Sequence, residues 1–283
     1  MRYGVALPNG GPDLSTLADL ATAAEASGWD GVFVEDYIVY QGQWQTPAYD
    51  PWVLLAAMAG RTRQIRLGTM VTPLARRRPW KVAREAVTLD HLSGGRLILG
   101  AGAGDPADPT FERFGEETSA RRRAQMLDEA LEVLAGAWSG EAFTYTGRYF
   151  HVRDATLIPR PLQQPRIPIW IGGQWPRRGP AKRMLRWDGC CPYKTGPGEP
   201  WEDLRAEDVS AIRAAAGAFP RSRPFEISVG GRRRRPDWDA ERAHIQTVAH
   251  FGATWWTEYV PPSDAATMRA AVELGPLRVP ERY

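Results

Sequence analysis

The sequence predicts an α/β fold, a closed (β/α)8 barrel with insertion loops at its C-terminal face. Three observations carry that reading. Eight short apolar runs alternate with eight amphipathic stretches along the chain. The apolar runs are continuous rather than alternating in and out, the pattern of parallel strands buried on both faces. The chain has 283 residues, a length at which one barrel with ordinary loops is common.

The elements follow in order. The first candidate strand is 3–7, and a helix over 14–27 sets Leu17, Leu20, Ala21 and Ala24 at i, i+3, i+4, i+7 spacing. Strand two is 31–35. Asp50-Pro51 then reads as an N-cap followed by proline at the first helical position, opening a helix to about residue 63. Strand three is 65–71, and the helix over 79–92 opens on Pro79 and stops at Gly94-Gly95. Strand four is 96–101. The stretch 104–119 has no periodicity and reads as a loop over the barrel mouth, where long loops form lids. A helix over 119–138 carries a stripe of Leu127, Leu131, Leu134 and Trp138, and the Pro-rich stretch 158–168 is a loop into strand five, 167–171. Weaker helical patterns at 179–187, 201–218, 238–251 and 263–274 alternate with strands at 189–193, 225–229 and 254–259. No internal repeat or low-complexity linker divides the chain, so residues 1–283 read as one TIM-barrel domain. A doubly wound open sheet is the competing arrangement.

Composition narrows the class. With 43% hydrophobic and 24% charged residues the chain is globular rather than disordered. The net charge of +3 is too small to argue for nucleic acid, and no apolar run reaches the ~20 residues of a membrane span. Residues 1–8 pass straight into a strand-like segment without a long apolar region, so no secretory signal is expected. Cys190 and Cys191 are adjacent, and neighbours on a strand face opposite sides, so they read as two buried thiols in a reducing cytoplasm. With four His and no spaced ligand set, no metal site is expected.

Candidate chemistry gathers at the strand ends, the face where barrel enzymes act. Leu99-Gly100-Ala101-Gly102-Ala103-Gly104-Asp105 is a poor dinucleotide fingerprint: its third glycine position is Asp105, and Pro106 and Pro109 follow where a helix should begin. It reads instead as a strand end stripped of side chains so that something flat can approach the backbone. Ile169-Trp170-Ile171-Gly172-Gly173-Gln174 repeats the pattern, with Arg177, Arg178, Lys182 and Arg183 nearby, an arrangement suited to an anion. An ordinary tight turn is the bland alternative. Strand two ends in Glu35-Asp36-Tyr37 and strand three in Gly68-Thr69-Met70-Val71. Trp44 and Trp175 fall in mouth loops and could wall a flat aromatic ligand. His91, at a helix end, reads as structural. The chain has no G-x-S-x-G elbow and no H-E-x-x-H helix.

The run from Arg78-Pro79-Trp80-Lys81 through Asp90-His91-Leu92-Ser93-Gly94-Gly95-Arg96 into 97–104 resembles the luciferase-like flavin-dependent oxidoreductases. So do Ile65-Arg66-Leu67-Gly68-Thr69, Asp128-Glu129-Ala130-Leu131-Glu132-Val133-Leu134 with Trp138-Ser139-Gly140, and Pro165-Arg166-Ile167-Pro168-Ile169-Trp170-Ile171-Gly172-Gly173. The match covers residues 1 to about 195 and weakens beyond. The resemblance implies a cytoplasmic oxidoreductase or monooxygenase with FMN or the deazaflavin coenzyme F420 over the strand ends and a small-molecule substrate. It implies a ring-supporting bulge, often with a cis peptide, at Thr69-Met70, with Gly102 beside it. It places the phosphate at Gly172, Gly173 and Gln174, with Lys182 and Arg183 as neighbouring charge. The position after the strand-two Asp, commonly His in such enzymes, is Tyr37 here, so Asp36, Tyr37 or Asp105 is expected to handle protons. A non-catalytic cofactor-binding protein of the same fold is the alternative. A barrel hydrolase without redox cofactor is a third reading, resting on the strand-end carboxylates. Arg76–Arg78 and Arg232–Arg235 are expected on the mouth side, where guanidinium groups suit the phosphate and glutamate tail of F420. Arg121–Arg123 reads as a solvated face. Barrels of this kind often pair, so a homodimer stays open.

Overall fold

The computed structural model describes residues 1–196 and 199–280. Eight strands form the barrel wall: β1 (Arg2–Leu7), β2 (Gly31–Val34), β3 (Arg66–Thr69), β4 (Leu97–Gly102), β5 (Ile169–Gln174), β6 (Gly189–Gly196), β7 (Glu226–Arg232) and β8 (Trp255–Tyr259). Each pairs in parallel with the next. β8 returns to β1 with Arg2 opposite Trp255, which closes the ring. The helices that follow the strands are α1 (Leu14–Ala26), α2 (Pro51–Arg61), α3 (Pro79–Ser93), α4 (Ala120–Ala137), α5 (Arg178–Met184), α6 (Ala206–Ala216), α7 (Trp238–His250) and α8 (Ala265–Glu273). The (β/α)8 class read from the sequence is the observed architecture.

Local chemistry sets the element ends. Asp50 accepts hydrogen bonds from the N–H groups of Trp52 at 2.9 Å and Val53 at 3.0 Å, with Pro51 opening α2. Gly94 closes α3 in the left-handed region at φ 67°. His91 is structural, its Nε2 lying 2.7 Å from the carbonyl of Arg160.

Large side chains fill the barrel lumen. Phe33, Ile98, Trp170 and Trp255 form a separate buried cluster, and Met70 packs against it from the mouth side. Ring centroids lie 5.4 Å apart for Phe33 and Trp170, 5.3 Å for Trp170 and Trp255, and 5.7 Å for Phe33 and Trp255, the last two edge-on. Room for these rings comes from lumen-facing glycines. A Cβ on Gly31 would stand 2.9 Å from Trp255, and one on Gly189 2.7 Å from Trp170. The lumen is therefore a plug and not a channel, and a ligand must bind above it.

The structure departs from the sequence reading in four places. An antiparallel hairpin (Phe143–Thr146 with His151–Ala155) packs on α4, with Glu129 accepting the N–H groups of Arg148, Tyr149 and Phe150. The loop over 104–119 contains a helical turn, Thr110–Arg113. The helical pattern expected from residue 201 instead begins as a strand, Glu199–Glu202, paired antiparallel with the end of β6. There Trp201 stacks on Tyr193 at 5.8 Å, so an apolar residue that suits a helix stripe is used across a strand pair. Strand three stops at Thr69, the Met70–Val71 peptide is cis, and Thr72–Pro73 rejoins the sheet beside β4. Among the described residues no helix is long and apolar enough to cross a membrane.

A methyl added at the plug and one added at an open helix position should act in opposite directions. Gly31→Ala forces a Cβ against two rings and should lose about 1–3 kcal/mol by overpacking. Gly60→Ala, within α2 with nothing near its Cβ, should gain about 0.5–1 kcal/mol. Denaturant melts of both variants check the pair, and equal effects would contradict the packed plug.

Candidate active site at the barrel mouth

Above the plug lies a cavity of about 910 Å³, to which all eight strand ends contribute. Its floor includes Ala6, Met70, Val71, Gly172, Ser228 and Thr257, the last two joined hydroxyl to hydroxyl at 2.9 Å. A volume in this range is typical of cofactor and small-molecule sites.

The centre of the floor is Val71. A Cβ on Gly102 would meet its Cγ2 at 2.7 Å, and a Cβ on Gly172 would meet its two methyls at 3.0 and 3.2 Å. Gly100 is required chiefly by the backbone of β3, because a Cβ there would run into the carbonyl of Thr69 before coming within 3.3 Å of Val71 Cγ1. The glycines read from the sequence as a surface bared for a ligand thus make room for Val71 first. The bulge expected at Thr69-Met70 is centred one residue later. Met70 lines the cavity, whereas Thr69 is buried and donates its hydroxyl to the carbonyl of Gly100 at 2.8 Å, tying β3 to β4. Gly173 allows the close approach of α5, because a Cβ there would stand 2.8 Å from Met184 and 2.9 Å from Pro180.

The acids after β2 are sorted by what faces them. Asp36 is buried and takes both its hydrogen bonds from Arg77 Nη2, at 2.9 and 3.0 Å. Burial pushes its carboxyl upward while Arg77 pulls against that. Glu35 accepts from the hydroxyl of Tyr40 at 2.8 Å and has no ion pair among the described residues. Burial pushes Glu35 up to about 7, against the hydrogen bonds of Tyr40, Tyr259 and Gln41. Tyr37 lines the cavity, and the buried Asn9 amide holds its carbonyl at 2.7 Å and that of Tyr49 at 2.8 Å. Burial and then the nearby Glu35 charge raise the Tyr37 phenol above its ordinary range. Asp105 sits exposed on the cavity rim and caps its own loop through the N–H of Ala107.

The arginine runs reverse their expected roles. Arg76 pairs with Asp108 and Glu116, and Arg77 with Asp36. Arg232 pairs with Asp203 and Glu241, Arg234 with Glu258, and Arg235 with Asp203. Apart from Arg78 and Arg233, the two runs expected to greet an anion are thus committed to internal carboxylates. The run expected to be a solvated face supplies Arg121 and Arg123 to the cavity. Arg123 is only 2% exposed, bonds the carbonyl of Asp105 at 3.2 Å, and lies over Phe111 at 4.1 Å with Arg76 on the same ring at 3.8 Å. Burial lowers its pKa, yet a guanidinium stays charged.

At the β5 turn Gly172, Gly173, Gln174, Arg177 and Arg183 line the cavity, and Lys182 does not. Arg183 is held by Asp128 at 2.5 and 2.8 Å, whereas Arg177 and Arg121 have no ion pair among the described residues. Neither Trp44 nor Trp175 reaches the cavity; the aromatic wall is Tyr193 with Trp201, which the helical reading of 201–218 hid. Cys190 is in the core and Cys191 in the cavity wall, both free, and burial pushes Cys191 up to about 12, so its thiol stays neutral.

The family model of luciferase-like monooxygenases matches residues 1–272. A protein named F420-dependent glucose-6-phosphate dehydrogenase from Microbacterium testaceum is 36% identical over 173 residues, 60% of this chain and 48% of that one. A 4-hydroxyprotoasukamycin monooxygenase from Streptomyces nodosus subsp. asukaensis is 34% identical over 212 residues, 72% of this chain and 55% of that one. The chain spans about half the length of these curated relatives. Among solved structures, the monooxygenase RslO1 from Streptomyces bottropensis has the same fold, with a TM-score of 0.75 at 21% identity over 97% of each chain.

Two measurements test this geometry. Gly102→Ala should cost about 1–3 kcal/mol by pressing on Val71, and adding Val71→Ala should recover part of the loss; strict additivity in the double variant would contradict the contact. Glu35 keeps its proton in the folded chain to about pH 7, while the unfolded chain releases it near 4.5. The wild type therefore loses stability as pH rises between those values, and the loss is complete above the folded value. Glu35→Gln should be the more stable protein above about pH 8 by roughly 3 kcal/mol, with the advantage fading toward acid. A difference independent of pH would refute the raised carboxyl.

Proposed function

The chain belongs to the luciferase-like monooxygenase family, and from that premise we propose that it is an oxidoreductase that binds a flavin-type cofactor in the mouth cavity and acts there on a small organic substrate. The observation that carries this reading is the floor: a low apolar rise, Val71, set between Gly102 and Gly172, where an added Cβ would stand 2.7 Å and 3.0 Å from its methyls. Around Val71 such a floor offers a flat ring a surface of methyl groups and bare backbone.

The residues present suit FMN or coenzyme F420. Met70, Val71 and Gly102 would support the ring. Gly172, Gly173, Gln174 and Arg177 would hold the phosphate, through backbone amides and one unpaired guanidinium. When bound, the cofactor supplies the electron chemistry. The chain supplies placement, a dry floor and proton-handling groups at the rim. Tyr37 and Asp105 are cavity-lining groups within that rim. Asp36 acts at one remove, holding Arg77 and the loop after β2. Tyr193 and Trp201 form the wall against which a flat or apolar substrate would rest.

Arg121 and Arg177 favour F420 over FMN. Both are cavity cations without internal acids, and the glutamate tail of F420 adds negative charge beyond the phosphate. The relative named as an F420-dependent dehydrogenase supports the same choice.

Titration of the purified protein with FMN and with F420, followed by fluorescence, is the direct test. Saturable binding of at least one is expected, and binding of neither ends the reading. Arg177→Glu should weaken the bound cofactor about tenfold to a hundredfold. Arg121→Glu should weaken F420 more than FMN. Binding without hydride transfer or oxygen use across a substrate panel would make the protein a cofactor carrier instead.

A further inference from the structure

Glu35 and Asp36 are neighbours with opposite circumstances. Both line the cavity, but Asp36 is paired with Arg77, while Glu35 has no ion pair among the described residues. What Glu35 meets is a file of neutral hydroxyls. Tyr40, fully buried behind it, donates to Glu35 at 2.8 Å and touches the hydroxyl of Tyr259 at the end of β8 in a short hydrogen bond. Gln41 donates to the Tyr40 oxygen at 3.2 Å from the outer side. Tyr259, like Glu35, lines the cavity. The file therefore starts and ends on the same cavity and passes through a hydroxyl sealed from solvent.

We propose that Glu35, Tyr40 and Tyr259 form the proton-holding centre of this cavity, with Glu35 the acid–base group and the two tyrosines the positioning residues that steady its charged form. The proposal rests on the oxidoreductase reading for its purpose, but its physical basis is independent of cofactor. A buried carboxyl without a cation is costly to ionise. Each hydroxyl can turn its proton either way along the file. With Glu35 ionised, Tyr259 donates to Tyr40 and Tyr40 to the carboxylate. With Glu35 neutral, the file can reverse without any heavy atom moving. One proton leaves the carboxyl for a basic ligand atom, or enters it from an acidic one, and no other bond changes. Either direction can serve as a counterpart to electron transfer at a bound ring.

The groups facing Glu35 from each side agree with this. From its own loop come Tyr37, Tyr40 and Gln41, all neutral. From β8 comes Tyr259, whose phenol burial and the Glu35 charge push up to about 12. Beside Tyr259, Glu258 is taken by Arg234, and the field of Arg233 reaches Tyr259. From the β4 side Asp105 and Asp108 add negative charge around Tyr37. From the β1 side the Asn9 amide is spent on two backbone carbonyls. The balance of these surroundings keeps the proton on Glu35 near neutrality.

The test uses the full chain without added cofactor. Infrared difference spectra across a pH series should show one carboxyl losing its proton near neutrality, and the signal should vanish in Glu35→Gln. Tyr40→Phe removes a hydrogen bond from the charged form, so the midpoint should move upward, with proton affinity rising roughly tenfold. Tyr259→Phe should move it the same way by less. A wild-type midpoint in the ordinary glutamate range, a signal that survives Glu35→Gln, or a midpoint that neither Tyr40→Phe nor Tyr259→Phe moves would each overturn the proposal. Failure of FMN and F420 to bind would instead end the oxidoreductase reading and leave this titration standing. In the cofactor-loaded protein, the pH profile of turnover should shift with the same midpoint in Tyr40→Phe, which a merely structural loss would not produce.

Discussion

The mouth of this barrel depends on one steric constraint, the space that Gly102 and Gly172 leave for the methyls of Val71, with Gly100 beside them clearing the carbonyl of Thr69. The neighbouring strands β4 and β5 would otherwise bring Cβ atoms to the same point. With the glycines in place, the chain can turn after Thr69, carry Val71 over the lumen, and rejoin the sheet at Thr72–Pro73. Below this floor the Phe33, Trp170 and Trp255 rings close the lumen. Above it the cavity is broad, its base apolar around Val71 with the Ser228 and Thr257 hydroxyls set in it. The mouth face is therefore shaped as much by missing side chains as by present ones. Glycine serves here because a backbone must be passed closely, not because a turn demands left-handed geometry.

Charge is organised by pairing. Guanidinium groups at the end of β7 and in the segments that follow β3 and β7 are met by carboxylates from other loops, from α7 and from β8, and most of these pairs are shielded from solvent. A half-buried arginine must find such partners, since an unpaired buried charge is expensive. Removing those arginines from the surface leaves Arg121 and Arg177 as the unpaired cations of the cavity wall among the described residues. Arg123 occupies an intermediate position, buried against Phe111 with a carbonyl for its main partner. The cavity is thus graded, acidic and hydroxyl-rich over β2 and β8, cationic over α4 and the β5 turn. That gradient suits a ligand whose reactive end is neutral and whose other end is anionic.

The adjacent residues Glu35 and Asp36 show how one peptide step separates an acid held by a cation from one held by hydroxyls. Successive side chains leaving a strand point to opposite sides. Asp36 reaches the guanidinium of Arg77 in the loop before α3, where it anchors that loop at the cavity edge. Glu35 also lines the cavity, where its partners are hydroxyls. The same residue class thus meets two environments, and the difference is made by neighbours on distant elements.

Much of the fold was legible from local pattern. Continuous apolar runs located all eight barrel strands, Asp50-Pro51 and Gly94 marked helix ends, and the strand-end glycines marked the mouth. These features depend on residues a few positions apart, which periodicity and capping register directly. The hairpin after α4 and the strand at Glu199–Glu202 escaped notice because their apolar residues pack across strand pairs rather than along one element. The site was legible only in outline. Arg123 among solvated arginines, Trp201 in a helix-like stretch and Val71 as the floor carry no local signal that separates them from their neighbours. Tyr40 and Tyr259 stand 219 positions apart and meet only because the barrel closes. Sequence alone determined that strands would end in bare backbone at one rim; the closed tertiary structure decided which acids would find cations there and which would keep their protons, because that depends on partners brought together through space.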